Sequence, residues 1–115
     1  AALPADVPHA DASFTVGRAA LLGAALACGS ADLFAASLED RLHEPYRANS
    51  APIFAAVRAQ PPEGALGASL SGSGPTVIVW AHEEGAAGCA DELERRFPEA
   101  QVLRLNVATE GAGEA

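Results

Sequence analysis

The apolar positions of the chain change period along its length. From about Ala10, Phe14, Leu21, Leu22, Ala25 and Leu26 recur at helical spacing, and Gly29 supplies a stop. Ser30 is placed to cap a second helix, with Leu33, Phe34, Leu38 and Leu42 on one face; the pattern carries it to about His43, where Pro45 disfavours a helical Glu44. Ser50 is expected to cap a third helix with Pro52 in its first turn and Ile53, Phe54 and Val57 inward, ended by Pro61-Pro62. The period then shortens. Ala65 to Ser71 and Thr76 to His82 read as strands, the second a β-branched and aromatic run through Thr76-Val77-Ile78-Val79-Trp80. A fourth helix is expected from about Ala86 to Phe97, with Cys89, Leu93 and Phe97 on one side and Pro98 behind it. Leu103, Leu105 and Val107 alternate with Arg104 and Asn106 as in a half-buried strand. The order α-α-α-β-β-α-β describes an α+β fold over residues 1–108, followed by a small, acidic, flexible tail at 109–115.

Composition narrows the chemistry. A chain of 115 residues, half of them hydrophobic, is long enough for one cored domain and too short for two. Seven basic against fifteen acidic residues give a net charge of −8, which argues against a nucleic-acid partner. All seven are arginine, so a lysine base, a Schiff-base lysine and a P-loop lysine are excluded within this chain. No apolar run approaches the ~18 residues of a membrane span. No charged leader precedes an apolar stretch, so neither a membrane anchor nor a secretory signal is expected, and the localisation implied is cytoplasmic. Cys28 and Cys89 stand far apart and read as reduced, buried small residues. His9, His43 and His82 show no metal spacing.

Two stretches could carry chemistry. In Leu70-Ser71-Gly72-Ser73-Gly74-Pro75-Thr76 the glycines admit positive φ, and successive free N–H groups could form an anion nest. A strand follows this loop, so it is neither a Rossmann nor a P-loop fingerprint; spacing alone favours a plain glycine-rich hairpin turn, against which the two serines and the proline at the exit count. In Asp40-Arg41-Leu42-His43-Glu44-Pro45-Tyr46-Arg47, a helix end and a proline make a pedestal for Arg47, a side chain suited to gripping a carboxylate or phosphate. A surface ion pair of Arg47 with Asp40 or Glu44 is the alternative.

Together with Leu3-Pro4, Asp11-Ala12 and Arg18-Ala19-Ala20-Leu21-Leu22, these stretches closely resemble the C-terminal half of the homoserine kinases, a family within the GHMP kinases. The Ser71–Pro75 loop is similar to the third motif of the whole superfamily, whereas Asp40 to Arg47 is the more family-specific stretch. One departure is Thr15, near which many members carry Asn; it is expected at a helix start. The resemblance implies a ferredoxin-like α/β sandwich serving as the substrate-binding domain of an enzyme that transfers the ATP γ-phosphate to the hydroxyl of L-homoserine, with Mg²⁺, in threonine biosynthesis. It implies that Arg47 binds the substrate carboxylate and that Ser71, Gly72, Ser73, Gly74 and Pro75 form the active-site floor. ATP and Mg²⁺ would be bound mainly by an N-terminal ATP-binding domain, the chain's own partner, with a homodimer as a further option. No catalytic or metal-ligating residue is expected anywhere in this chain, and this segment alone is expected to be inactive. A ferredoxin-like sheet begins with a central strand, which is expected upstream of Ala1, between the strands at 76–82 and 101–107; the last should then find no ladder partner in this chain. The rival readings are another GHMP kinase's C-terminal domain, against which Asp40 to Arg47 argues, and a non-catalytic amino-acid-binding regulatory domain.

Overall fold

The computed structural model describes residues 3–108; the tail expected at 109–115 lies outside them. The order is α1 (His9–Cys28), α2 (Ala31–Ser37), α3 (Glu44–Arg47), a 3₁₀ turn (Ala48–Ser50), α4 (Pro52–Ala59), β1 (Ala65–Leu70), β2 (Val77–Ala81) and α5 (Glu83–Arg96). The fold is α+β, its sheet among the described residues a single antiparallel pair, β1 with β2.

The helix boundaries follow local hydrogen bonding. Gly29 closes α1 in the left-handed region, and the Ser30 hydroxyl accepts from the Leu33 N–H at 3.3 Å to start α2. That helix stops at Ser37, well short of His43. The reason is Asp40, whose carboxylate accepts from the N–H groups of Leu42, His43 and Glu44 at 3.1, 2.7 and 2.9 Å and draws the backbone into a new turn. Pro45 therefore opens α3 where it was expected to end a helix, because the first turn needs no proline N–H. Ser50 does not cap α4; its hydroxyl donates to the Arg47 carbonyl at 2.9 Å, and Ala51 stands at the helix start.

Successive strand residues face opposite ways. Leu70 joins Ala51 and Phe54 of α4 in the buried core, with Val77 packed against them. Trp80 and Phe34 of α2 meet in a T-shaped pair with ring centroids 5.2 Å apart, and the Trp80 Nε1–H donates to the Ser69 hydroxyl. Leu38 lies so close to Gly67 that a Cβ there would stand 2.7 Å from its Cδ1, which is why the end of α2 can settle on the strand. Helix α5 is tied to the approach to β1: the Cys89 thiol donates to the Glu63 carbonyl at 3.0 Å and Arg96 Nη1 to the Gln60 carbonyl at 2.8 Å. Cys89 is buried as expected, but Cys28 is exposed at the end of α1.

The two edges of the sheet differ. On the outer edge of β1, Glu44 accepts from the Leu70 N–H and Arg58 donates to the Ala68 carbonyl. Ala68 faces Val79 in the ladder, so the alternation of an antiparallel pair turns the Val79 backbone toward the opposite edge of β2. Among the described residues no strand pairs with that edge. The segment at 101–107, expected as a strand, is not one, and among the described residues it forms no ladder with β2. Leu103, Leu105 and Val107 stand 64%, 83% and 81% exposed, because an alternating pattern without a partner strand has nothing to pack on.

Candidate functional site

The glycine loop leaves β1 at Leu70 and enters β2 at Val77. Its base is closed by the Ser71 N–H donating to the Thr76 carbonyl at 2.9 Å and the Gly74 N–H donating to the Ser71 carbonyl at 3.0 Å. Gly72 and Gly74 take φ of 56° and 77°, the left-handed values that residues with a Cβ resist, and the Gly74–Pro75 peptide is cis. Ser71, Gly72, Ser73 and Pro75 are exposed, and Gly74 is half-buried.

The second stretch is folded against this loop. Asp40 holds the entry to α3, and burial, which would raise its carboxyl pKa, is outweighed by the three backbone N–H groups and His43, so the group titrates below its ordinary 3.8. Glu44, 4% exposed, turns inward to Leu70 and Arg58. Burial raises its pKa, against the Leu70 N–H and the Arg58 guanidinium. Arg47, one turn further on, is thereby bound to neither acid: its Nη1 donates to the Ser73 carbonyl at 3.0 Å, and its buried Nε finds no acceptor among the described residues. A guanidinium thus stands over the middle of the glycine loop, next to backbone carried by two positive-φ residues. That arrangement suits a small anionic group docking between arginine and loop.

Sequence reasoning missed two members of this assembly. Arg58 links the Leu38 and Ala68 carbonyls and Glu44 at 3.4, 3.2 and 3.4 Å, and nothing in its surroundings on α4 signals this. Thr15, expected at a helix start, lies within α1, where its hydroxyl accepts from the Arg41 N–H at 3.1 Å. Arg41 stacks on Phe14 at 3.7 Å, which holds α1 to the turn preceding α3. Among the described residues no three His, Cys, Asp or Glu stand close enough to hold a metal ion, and no helix is long and apolar enough to cross a membrane.

Asp40→Ala is expected to destabilise the fold by about 2 kcal/mol, since charged hydrogen bonds to backbone N–H groups are worth roughly 1.5–3 kcal/mol. Because the folded-state pKa is depressed, this contribution is complete above pH 3.8 and disappears as the pH falls through the lowered value. Urea melts of both proteins should therefore converge on acidification; a gap that persists at the acid limit would assign the loss to something other than the carboxylate.

The α+β fold built round this hairpin is that of a kinase-family domain. Residues 18–99 match the family described as GHMP kinases C terminal, and the chain belongs to that family. It is 44% identical over 101 residues to a homoserine kinase of Gloeobacter violaceus, covering 87% of this chain and 34% of that protein. With a homoserine kinase of Solibacter usitatus it shares 42% over 107 residues, 92% of this chain and 33% of the relative. The crystal structure of homoserine kinase from Cytophaga hutchinsonii superposes with a TM-score of 0.75 at 29% identity, over 84% of this chain and 31% of the other. The chain thus spans about a third of the length of the curated relatives it matches.

Proposed function

We propose that this chain is the acceptor-substrate side of a homoserine kinase. The observation that carries the reading is the contact of Arg47 with Ser73, which brings the family-specific stretch and the superfamily loop into one site. Arg47 grips the α-carboxylate of L-homoserine as a fork, and the loop Ser71–Pro75 forms the floor on which the phosphoryl group is transferred. The hydroxyl oxygen of homoserine forms a bond to the γ-phosphorus as the bond from that phosphorus to the β,γ-bridging oxygen breaks; ADP departs with that oxygen, and the hydroxyl proton is released to solvent. The nucleotide is held by a separate N-terminal domain, since this chain has no lysine and no phosphate-cradling strand–loop–helix. Mg²⁺, which is usually held by one or two carboxylates together with substrate phosphates, goes in this reading mainly with the nucleotide on that other domain.

The open edge of β2 and the alternating Leu103, Leu105 and Val107 are where a strand of that longer protein completes the ferredoxin-like sheet. A structure of the longer chain in which β2 and residues 101–107 pair directly with each other would contradict this.

The division of labour is tested by assaying the chain alone and within the longer protein for ATP-dependent phosphohomoserine formation. Activity is expected only in the longer protein. Turnover that copurifies with the isolated chain would place the nucleotide site here, and a longer protein that phosphorylates other alcohols but not homoserine would overturn the substrate assignment.

A further inference from the structure

Helix α3 is four residues long, too short to hold itself in water. Its position is set by side chains. Asp40 fixes its entry, but only Glu44 reaches from it to the sheet: one carboxylate oxygen accepts from the Leu70 N–H at 2.9 Å and the other from Arg58 Nη1 at 3.4 Å. Arg58 holds the Ala68 carbonyl of the same strand at 3.2 Å. Leu70 is the last residue before the glycine loop, and Arg47, three residues after Glu44 on the same helix, touches the loop at Ser73. The helix is therefore fastened to the strand–loop unit at two points, of which only the Glu44 tie is buried and two-sided.

We propose that Glu44 is a positioning residue, one that sets the distance between the substrate-holding Arg47 and the loop Ser71–Pro75 by clamping α3 to the outer edge of β1. The proposal rests on the reading of Arg47 given above. A carboxylate taken out of water is a poor way to gain stability, because an apolar pair of similar volume would serve as well or better. A carboxylate whose two oxygens meet two defined partners instead fixes a position. Misplacement of a binding group by about 1 Å costs on the order of a hundredfold in a reaction step. Loss of one of the two contacts on Glu44 should therefore show in the binding of the substrate that Arg47 holds and leave the nucleotide untouched.

The test uses the longer kinase that contains this domain, with steady-state kinetics for Glu44→Gln, Arg47→Ala and the double variant. Glu44→Gln can still accept from Leu70 but loses the ion pair with Arg58. It is expected to raise the KM for homoserine about tenfold, with the KM for ATP unchanged. In the Arg47→Ala background it should add nothing, since both act through one anchor. A lower melting temperature with both KM values unchanged would make Glu44 a strut only and overturn the proposal, as would additive effects in the double variant. If Arg47→Ala itself leaves the homoserine KM unchanged, the anchor reading fails and the positioning role falls with it; a raised KM in Arg47→Ala alone rejects the role of Glu44 and spares the anchor. Should Glu44→Gln not fold, Arg58→Gln removes the same ion pair from the other side. It is expected to shift the homoserine KM in the same direction, and no shift overturns the proposal.

Discussion

Arg47→Ala in the longer kinase is expected to raise the KM for homoserine by at least roughly 30-fold and to leave the KM for ATP where it was. Truncating one partner of a desolvated, hydrogen-bonded charge pair costs about 2–5 kcal/mol, and each ~1.4 kcal/mol is tenfold in affinity. The geometry makes the split between the two substrates sharp. Among the described residues the Arg47 side chain makes one hydrogen bond, to the exposed Ser73 carbonyl, which water can satisfy once the side chain is gone. Its acid neighbours are already engaged, Asp40 with three backbone N–H groups and Glu44 with Leu70 and Arg58, so the substitution leaves no buried charge unpaired. The loss should accordingly appear in substrate binding and only weakly in stability. Arg47→Lys keeps the charge without the fork and should recover part of the affinity. An unchanged KM in Arg47→Ala would show that the guanidinium serves only to brace the loop.

The largest effect on stability is expected from Phe54→Ala. Phe54 is 4% exposed and packs with Ala51 and Leu70, Val77 lying against them, at the foot of the glycine loop. Emptying such a site costs about 3–5 kcal/mol. Native domains have only ~0.05–0.15 kcal/mol of stability per residue, so this is a large share of what a chain of this size possesses. The guanidinium of Arg58 stands over the same ring at 5.5 Å, and its links to Glu44 and Ala68 would loosen as well. Chemical denaturation of the folded protein measures the loss directly. A change below about 1 kcal/mol would mean that the Ala51–Leu70–Val77 contacts close over the gap.

What the sequence disclosed and what it hid follow a physical line. The long helices were legible because each carries its own periodicity and its own punctuation, as Gly29 and Ser30 do between α1 and α2. The hairpin was legible because β-branched residues flank paired glycines. Residues 38–47 were misjudged in detail, since Pro45 stops a helix or starts one according to where the N–H groups before it go, and Asp40 decides that. The strand expected at 101–107 shows the limit from the other side: Leu103, Leu105 and Val107 alternate as a strand should, yet a strand is made by its neighbour. In the candidate site, Arg47 and the glycine loop stood out as residue types, but the tie of Glu44 and Arg58 to the edge of β1 spans contacts 10 to 26 residues apart and left no local pattern to read.

The two sulfurs give the chain a gauge of its own integrity. Cys28 lies open at the end of α1, while Cys89 is shut beneath the Glu63 carbonyl, its thiol pKa raised by burial and by the nearby Glu92. A thiol reagent meets one reactive group in the native protein and two once α5 lifts from the approach to β1, because only an uncovered thiolate reacts. The slow second equivalent is thus a clock for local opening. It needs no introduced label, and it reads the end of the domain away from the glycine loop, so damage to the proposed site and loss of the fold are told apart in one tube.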